Sequence, residues 1–162
     1  IYFYFFAKTD KQNFWLFLDL LSFALPVSQA IGRLGNWFNQ ELYGLPSNLP
    51  WAIFIEPKNR LPEFTQIEFY HPLFAYEILC LLLLALFLWR QKKPALGSGQ
   101  QFLSYLVAYT LLRFVLEFLR LDKPMILGVK IVSFNQVISV LLCLFFLAIY
   151  KINQHRQMVR TH

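Results

Sequence analysis

Arg33 closes a long apolar stretch, and Asn36, Asn39, Gln40 and Glu41 follow it within two helical turns, with Gly32, Gly35 and Gly44 interspersed. If residues 29–40 are helical, Gln29, Arg33, Asn36 and Gln40 share one face. A guanidinium facing lipid at membrane depth costs at least about 2.5–3.5 kcal/mol. It therefore calls for a partner, and an anion is the partner that costs least. Gly32 and Gly35 would let a second helix or a lipid headgroup approach closely. The plainer reading is a helix end whose arginine snorkels to the interface. The run of one arginine, two asparagines, a glutamine and a glutamate is denser than snorkelling requires.

A second group lies further on. Tyr105, Tyr109, Arg113, Glu117 and Arg120 recur at spacings of four, four, four and three, one polar stripe down an apolar helix. Arg113 and Glu117 are expected to pair at i, i+4. A self-neutralised structural pair is the plain alternative, yet Arg120 leaves the stripe with surplus positive charge. A third group is His71-Pro72-Leu-Phe-Ala-Tyr76-Glu77. Glu77 near a helix N-terminus is favoured by the macrodipole, and it is also a natural counter-ion for Arg33 or Arg113. Asp19, inside an apolar run, reads as a helix-end or packing residue. Cys80 and Cys143 read as small hydrophobes, with no metal spacing and no disulfide framework.

The elements that must position these groups follow from composition. The chain has 162 residues, 57% hydrophobic, 19% aromatic and 15% charged, with net charge +6. Mean hydropathy is +0.47. That is more apolar and less charged than ordinary globular domains. The expected fold is an all-α integral membrane protein, one multi-span helical bundle over 1–162 with an extracytoplasmic loop region. Spans are expected at about 14–36, 73–89, 102–119 and 134–150. Pro26 should kink or break the first. Residues 44–72 hold five prolines, which forbid a spanning helix, so this stretch reads as an extracytoplasmic or interfacial loop. Residues 51–55 suit a short strand, and Trp51 and Tyr70 suit the headgroup level. Leu121 to Lys130 reads as a short loop. Residue 1 is Ile, and residues 1–7 resemble the tail of a span begun upstream. The chain is thus expected to be the C-terminal portion of a longer protein whose N-terminal spans are missing here.

Loop charges set the expected orientation. Lys8, Lys11, Arg90, Lys92, Lys93, Lys151, Arg156 and Arg160 stand against one acid, Asp10, in the segments 8–13, 90–101 and 151–162. The remaining loops balance basic and acidic residues. The basic segments and the C-terminus are therefore expected in the cytoplasm, and the Arg33 end on the far side. Basic charge used in this way argues for no nucleic-acid role. Two arginines, with amides and carboxylates at span ends on one side, imply a protein that holds an anionic group at the outer membrane boundary. A phospholipid phosphate is the abundant anion there, and guanidinium forks match its oxygens. A transporter or channel segment for an anion is the alternative, but it predicts inverted repeats and none is visible. A membrane scaffold has no need of a one-sided polar cluster.

Gly32-Arg33-Leu-Gly35-Asn36-Trp-Phe-Asn39-Gln-Glu41-Leu-Tyr-Gly44 closely resembles the signature of the bacterial prolipoprotein diacylglyceryl transferases, with Trp37 where another aromatic is usual. Pro50-Trp51, His71-Pro72-x-x-x-Tyr76-Glu77 and Arg113-Phe-x-x-Glu117-x-x-Arg120 resemble further family blocks in family order. Ser133-Phe-Asn135-Gln136 is similar to another, with Asn135 where glycine is usual. The resemblance implies a multi-pass enzyme of the bacterial inner membrane with no cofactor or metal. It would move the diacylglyceryl group of phosphatidylglycerol onto the lipobox cysteine of preprolipoprotein signal peptides. By the same resemblance Arg33, Arg113 and Glu117 are the catalytic residues. Arg33 and Arg113 would hold the phosphate, and Asn36, Asn39, Glu41 and Glu117 would orient them. Gly44, His71, Tyr76, Glu77 and Arg120 would complete the substrate site. The family's histidine in a His-Gly-Gly context has no counterpart among His71, His155 and His162, so this chain alone is expected to be inactive.

Overall fold

A computed structural model describes residues 11–91, 96–121, 125–126 and 129–160. Four long helices dominate it: α1 Lys11–Phe38, α2 Leu73–Arg90, α3 Gln100–Leu116 and α4 Phe134–Arg160. α1, α2 and α4, and α3 together with the 3₁₀ turn that continues it to Leu119, are each long and apolar enough to cross a membrane at a rise of about 1.5 Å per residue. The chain is a multi-pass membrane protein. α1 packs mainly on α2, and α3 on α4, with α3 also touching α1 and α2. Leu84, Leu88 and Tyr105 form the inter-helix core, with Phe23 and Phe102 against it. Outward apolar side chains such as Ile31, Phe87, Leu141 and Phe145 remain exposed, which is the arrangement lipid favours.

Pro26, expected to kink or break the first span, does not break it: α1 runs through it. The proline removes one ladder hydrogen bond, but its ring is fully buried. Opening the helix in a bilayer would strand further backbone groups. α4 runs ten residues beyond the expected span, to Arg160. Residues 1–10 and the lysines at 92 and 93 lie outside the described residues, so part of the charge pattern behind the expected orientation does too.

The proline-rich segment is a small folded unit. β1 Ile53–Phe54 pairs antiparallel with β2 Phe69–Tyr70, and 3₁₀ turns at Pro57–Asn59 and Pro62–Phe64 fill the interval, each starting on a proline. The strand foreseen at 51–55 is thus present, though two residues long. Tyr43, Ile55 and Tyr70 make its core. Tyr70 is 0% exposed, so its ring is covered by protein. Its hydroxyl lies 2.9 Å from the carbonyls of Phe64 and Ile67, and burial raises its phenol above the usual range. A loop that buries two tyrosines against each other needs no lipid to cover them.

Gly44 locks this unit onto the bundle. Its N–H donates to the His71 carbonyl at 2.8 Å, and it bridges Arg120. A Cβ there would sit 2.9 Å from His71 Cβ and 3.0 Å from the Leu119 carbonyl oxygen, closer than atoms pack. The segment expected as a short loop after Leu121 forms, in its described part, a second small sheet, β3 Met125–Ile126 against β4 Val129–Ser133.

Candidate active site

The residues from three helices meet at one carboxylate. Glu77, in the second turn of α2, is 6% exposed. One of its oxygens is paired with Arg33 Nε of α1 and the other with Arg113 of α3, at 3.1 Å. Two guanidiniums share a single negative charge, so the cluster carries one net positive charge. It opens on a cavity of about 230 Å³ lined by Gln29, Gly32, Arg33, Glu77, Tyr109 and Arg113, among others. Tyr105 stacks on Tyr109 with ring centres 5.8 Å apart, and its hydroxyl donates to Gln29 Oε1 at 3.1 Å. The upper part of the tyrosine stripe therefore braces the wall that carries Arg113. Among the described residues, Gly32 and Gly35 have no neighbour within 4 Å of an added Cβ. They admit no second helix here, and the space they leave belongs partly to the cavity.

The expected Arg113–Glu117 pair is not formed. α3 ends at Leu116 and the chain tightens into a 3₁₀ turn, Glu117–Leu119. With three residues per turn, Glu117 comes beside Arg120, with a 3.8 Å ion pair. Its other oxygen accepts from Ser133 Oγ at 3.0 Å and Asn135 Nδ2 at 2.9 Å. Glu117 is 2% exposed, so these donors satisfy a carboxylate that water does not reach. Gln136 closes the same knot by accepting from the Ser133 N–H at 2.9 Å. Asn135, which departs from the family's usual glycine, is used here as a donor.

Nor do Asn36, Asn39 and Glu41 hydrogen-bond or ion-pair with either arginine among the described residues. Asn39 Nδ2 donates to Glu41 Oε1 at 3.2 Å. The Asn36 amide nitrogen is buried with no hydrogen-bond partner among the described residues. Gln40 leaves the helix face it was expected to share: α1 has ended, and its φ is +52°. Its side-chain oxygen accepts instead from the Glu56 N–H at 2.8 Å and from Asn59 Nδ2 at 3.1 Å. The carboxylate that orients the arginines is Glu77, which sequence reasoning had as counter-ion to one or the other. That it serves both follows from three helices converging, which no single-helix spacing reveals.

His71 and Tyr76 come together, Nδ1 to hydroxyl 3.0 Å apart. The same hydroxyl accepts from Trp51 Nε1 at 2.8 Å. The loop is thereby tied to the first turn of α2, one residue before Glu77. Asp19, fully buried, accepts from the N–H groups of Gly97, Gly99 and Phe102, each at 3.0 Å. It caps the start of α3 from another helix, a packing role as expected, but through a partner some 80 residues away in sequence.

With this geometry in place, comparison with known proteins is decisive. The family described as prolipoprotein diacylglyceryl transferase matches residues 1–152. The chain belongs to the prolipoprotein diacylglyceryl transferase family. It is 42% identical over 142 residues to phosphatidylglycerol–prolipoprotein diacylglyceryl transferase 2 of Streptomyces coelicolor, covering 86% of this chain and 44% of that protein. It is 39% identical over 140 residues to the Trichormus variabilis protein of that name without the numeral, covering 83% and 49%. Against the Corynebacterium diphtheriae member it is 39% identical over 152 residues, covering 86% and 53%. The chain spans about half the length of the curated relatives it matches. The diacylglyceryl transferase signature, Gly32 to Gly44, thus runs from the arginine cavity to the rim of the folded loop.

Proposed function

We propose that the protein containing this chain transfers the diacylglyceryl group of phosphatidylglycerol to the lipobox cysteine of preprolipoproteins at the bacterial inner membrane. The observation that carries this reading is the Arg33–Glu77–Arg113 cluster: two guanidiniums on different helices, one carboxylate between them, one net positive charge facing a cavity. In the reaction a sulfur–carbon bond forms as the carbon–oxygen bond to phosphate breaks. The thiol loses its proton, and glycerol phosphate leaves as a monoester. The phosphate passes from one negative charge towards two. Groups fixed where charge grows lower the barrier most. Arg33 and Arg113 bind the phosphate and meet its added charge, and Glu77 holds both forks in register. Gln29 and Tyr109 shape the wall. Glu117 and Arg120 hold the end of α3, and hence Arg113, in place. The Arg33 end and the loop 44–72 face outward, and the C-terminus lies in the cytoplasm, in keeping with the basic excess of the 90–101 and 151–162 segments.

The test separates chemistry from folding. Arg33→Lys keeps the charge but loses the planar fork, and Arg113→Gln loses the charge. In the full-length protein each is expected to lower kcat at least about 100-fold, the scale of removing one transition-state donor, with yield and melting temperature unchanged. Full turnover by a well-folded Arg33→Lys variant would remove that residue from the mechanism.

A further inference from the structure

Beyond the end of α1 the signature builds a second cavity of about 370 Å³, lined by Asn39, Glu41, Leu42, Asn59, Leu61 and Leu121, with Gln40 and Tyr43 in its wall. Its backbone is held in an uncommon shape. Gln40 and Leu42 both have φ of +52°, a left-handed conformation costly for a residue as bulky as leucine. Such strain persists only where the surroundings enforce it, and it gathers at binding sites. The enforcing contacts are present. Gln40 Oε1 ties the signature to Glu56 and Asn59. Tyr43 Oη accepts from the Leu61 N–H and donates to the Asn59 carbonyl, both at 2.9 Å. The cavity is therefore preformed, its walls stapled across the loop.

What these contacts leave unspent defines the occupant. The Gln40 side-chain oxygen and the Tyr43 hydroxyl are used within the walls. Glu41 is exposed, and the only ion-pair or hydrogen-bond partner of its carboxylate among the described residues is Asn39 Nδ2, on one oxygen. The second Glu41 oxygen and the Asn39 carbonyl are acceptors. Three leucines supply apolar surface beside them. An unneutralised carboxylate repels a phosphate, so this cavity is unsuited to the lipid headgroup that the arginine cavity suits. An extended peptide is its complement: backbone N–H groups for the acceptors and small aliphatic side chains for the leucines.

We propose that this cavity is the seat of the acceptor peptide, gripping the chain beside the lipobox cysteine, while the arginine cavity holds the lipid. This rests on the transferase reading above and divides its two substrates between two sites that share one signature: Arg33 on the cationic side, Asn39 to Leu42 on the acceptor-rich side. The end of α1 would then set the distance between thiol and lipid.

Two measurements on the full-length protein test it. Leu61→Trp fills the cavity from a position outside the buried loop core. It is expected to raise KM for a lipobox peptide about tenfold, with KM for phosphatidylglycerol and kcat within about twofold, a size ordinary for a pocket contact. An unchanged peptide KM in the folded variant overturns the proposal. So does a rise in the phosphatidylglycerol KM of the same size. The second measurement needs no substitution: a lipobox peptide with a benzophenone residue next to its cysteine is photolysed with the wild-type protein, and the adducts are mapped. Adducts within residues 39–43 or 59–61 are expected, and adducts only elsewhere overturn it. The transferase reading fails separately, by the wild-type protein forming no thioether from peptide and phosphatidylglycerol.

Discussion

Within its membrane-spanning run, Phe14–Phe38, helix α1 carries one charged residue in each half, and the protein treats the two in opposite ways. Asp19 is fully enclosed: three N–H donors at 3.0 Å saturate its carboxylate, and the Trp15 ring closes over Gly99 beside it. Its charge also meets the positive end of the α3 dipole. Arg33, fourteen residues on, has one ion-pair partner among the described residues, which it shares with Arg113, and beside it Gly32 meets none of those residues. Both are charges that a bilayer penalises. The first is cancelled by the protein itself. The second is left in surplus next to a cavity. Residual charge and residual space, more than burial, separate a group that holds the fold from one that awaits a ligand.

Asp19→Ala probes the closed half most severely. It strands three backbone N–H groups, each worth about 1–3 kcal/mol when buried unpaired, so a loss of about 3 kcal/mol or more is expected. Thermal melting in detergent should fall sharply while turnover per folded molecule holds. An unchanged melting point with lost turnover would erase the contrast with Arg33. Gly99→Ala is milder. Its φ is +77°, and the new Cβ would lie 2.3 Å from Trp15. A left-handed alanine costs about 1–2 kcal/mol before the ring moves, so a loss of about 2 kcal/mol is expected by the same melt. At the open half the sign reverses. Gly32→Ala meets nothing and removes a helix glycine, so it should stabilise by about 0.5–1 kcal/mol. If lipid occupies that space, KM for phosphatidylglycerol rises in the same variant. An unaltered KM would sever Gly32 from the lipid site.

The four long apolar helices were legible because apolar runs of about 20 residues have few other uses. The arginines were legible because a guanidinium in such a run demands a reason. What spacing could not show was partner choice between helices. Arg113 and Glu117 have an ideal i, i+4 interval, yet Glu77 takes the arginine, and Ser133, Asn135 and Arg120 take the glutamate. Those choices depend on three-helix convergence and on the 3₁₀ turn at Glu117. Asp19 was readable as a packing residue, but its targets at 97, 99 and 102 are set by how α1 crosses α3. Gln40 fitted the helical face by count alone; the end of α1 at Phe38 sends it into the loop wall instead.

The link from Trp51 through Tyr76 to His71 has a fixed direction at one end. An indole N–H donates and cannot accept. With Trp51 Nε1 donating to the Tyr76 oxygen at 2.8 Å, that oxygen keeps one lone pair and its own hydrogen for His71 Nδ1, 3.0 Å away. Nδ1 meets the hydroxyl as donor in one tautomer and as acceptor in the other. Either way the two rings stay joined through one oxygen, and a tryptophan on the loop aims the ring of a histidine twenty residues later.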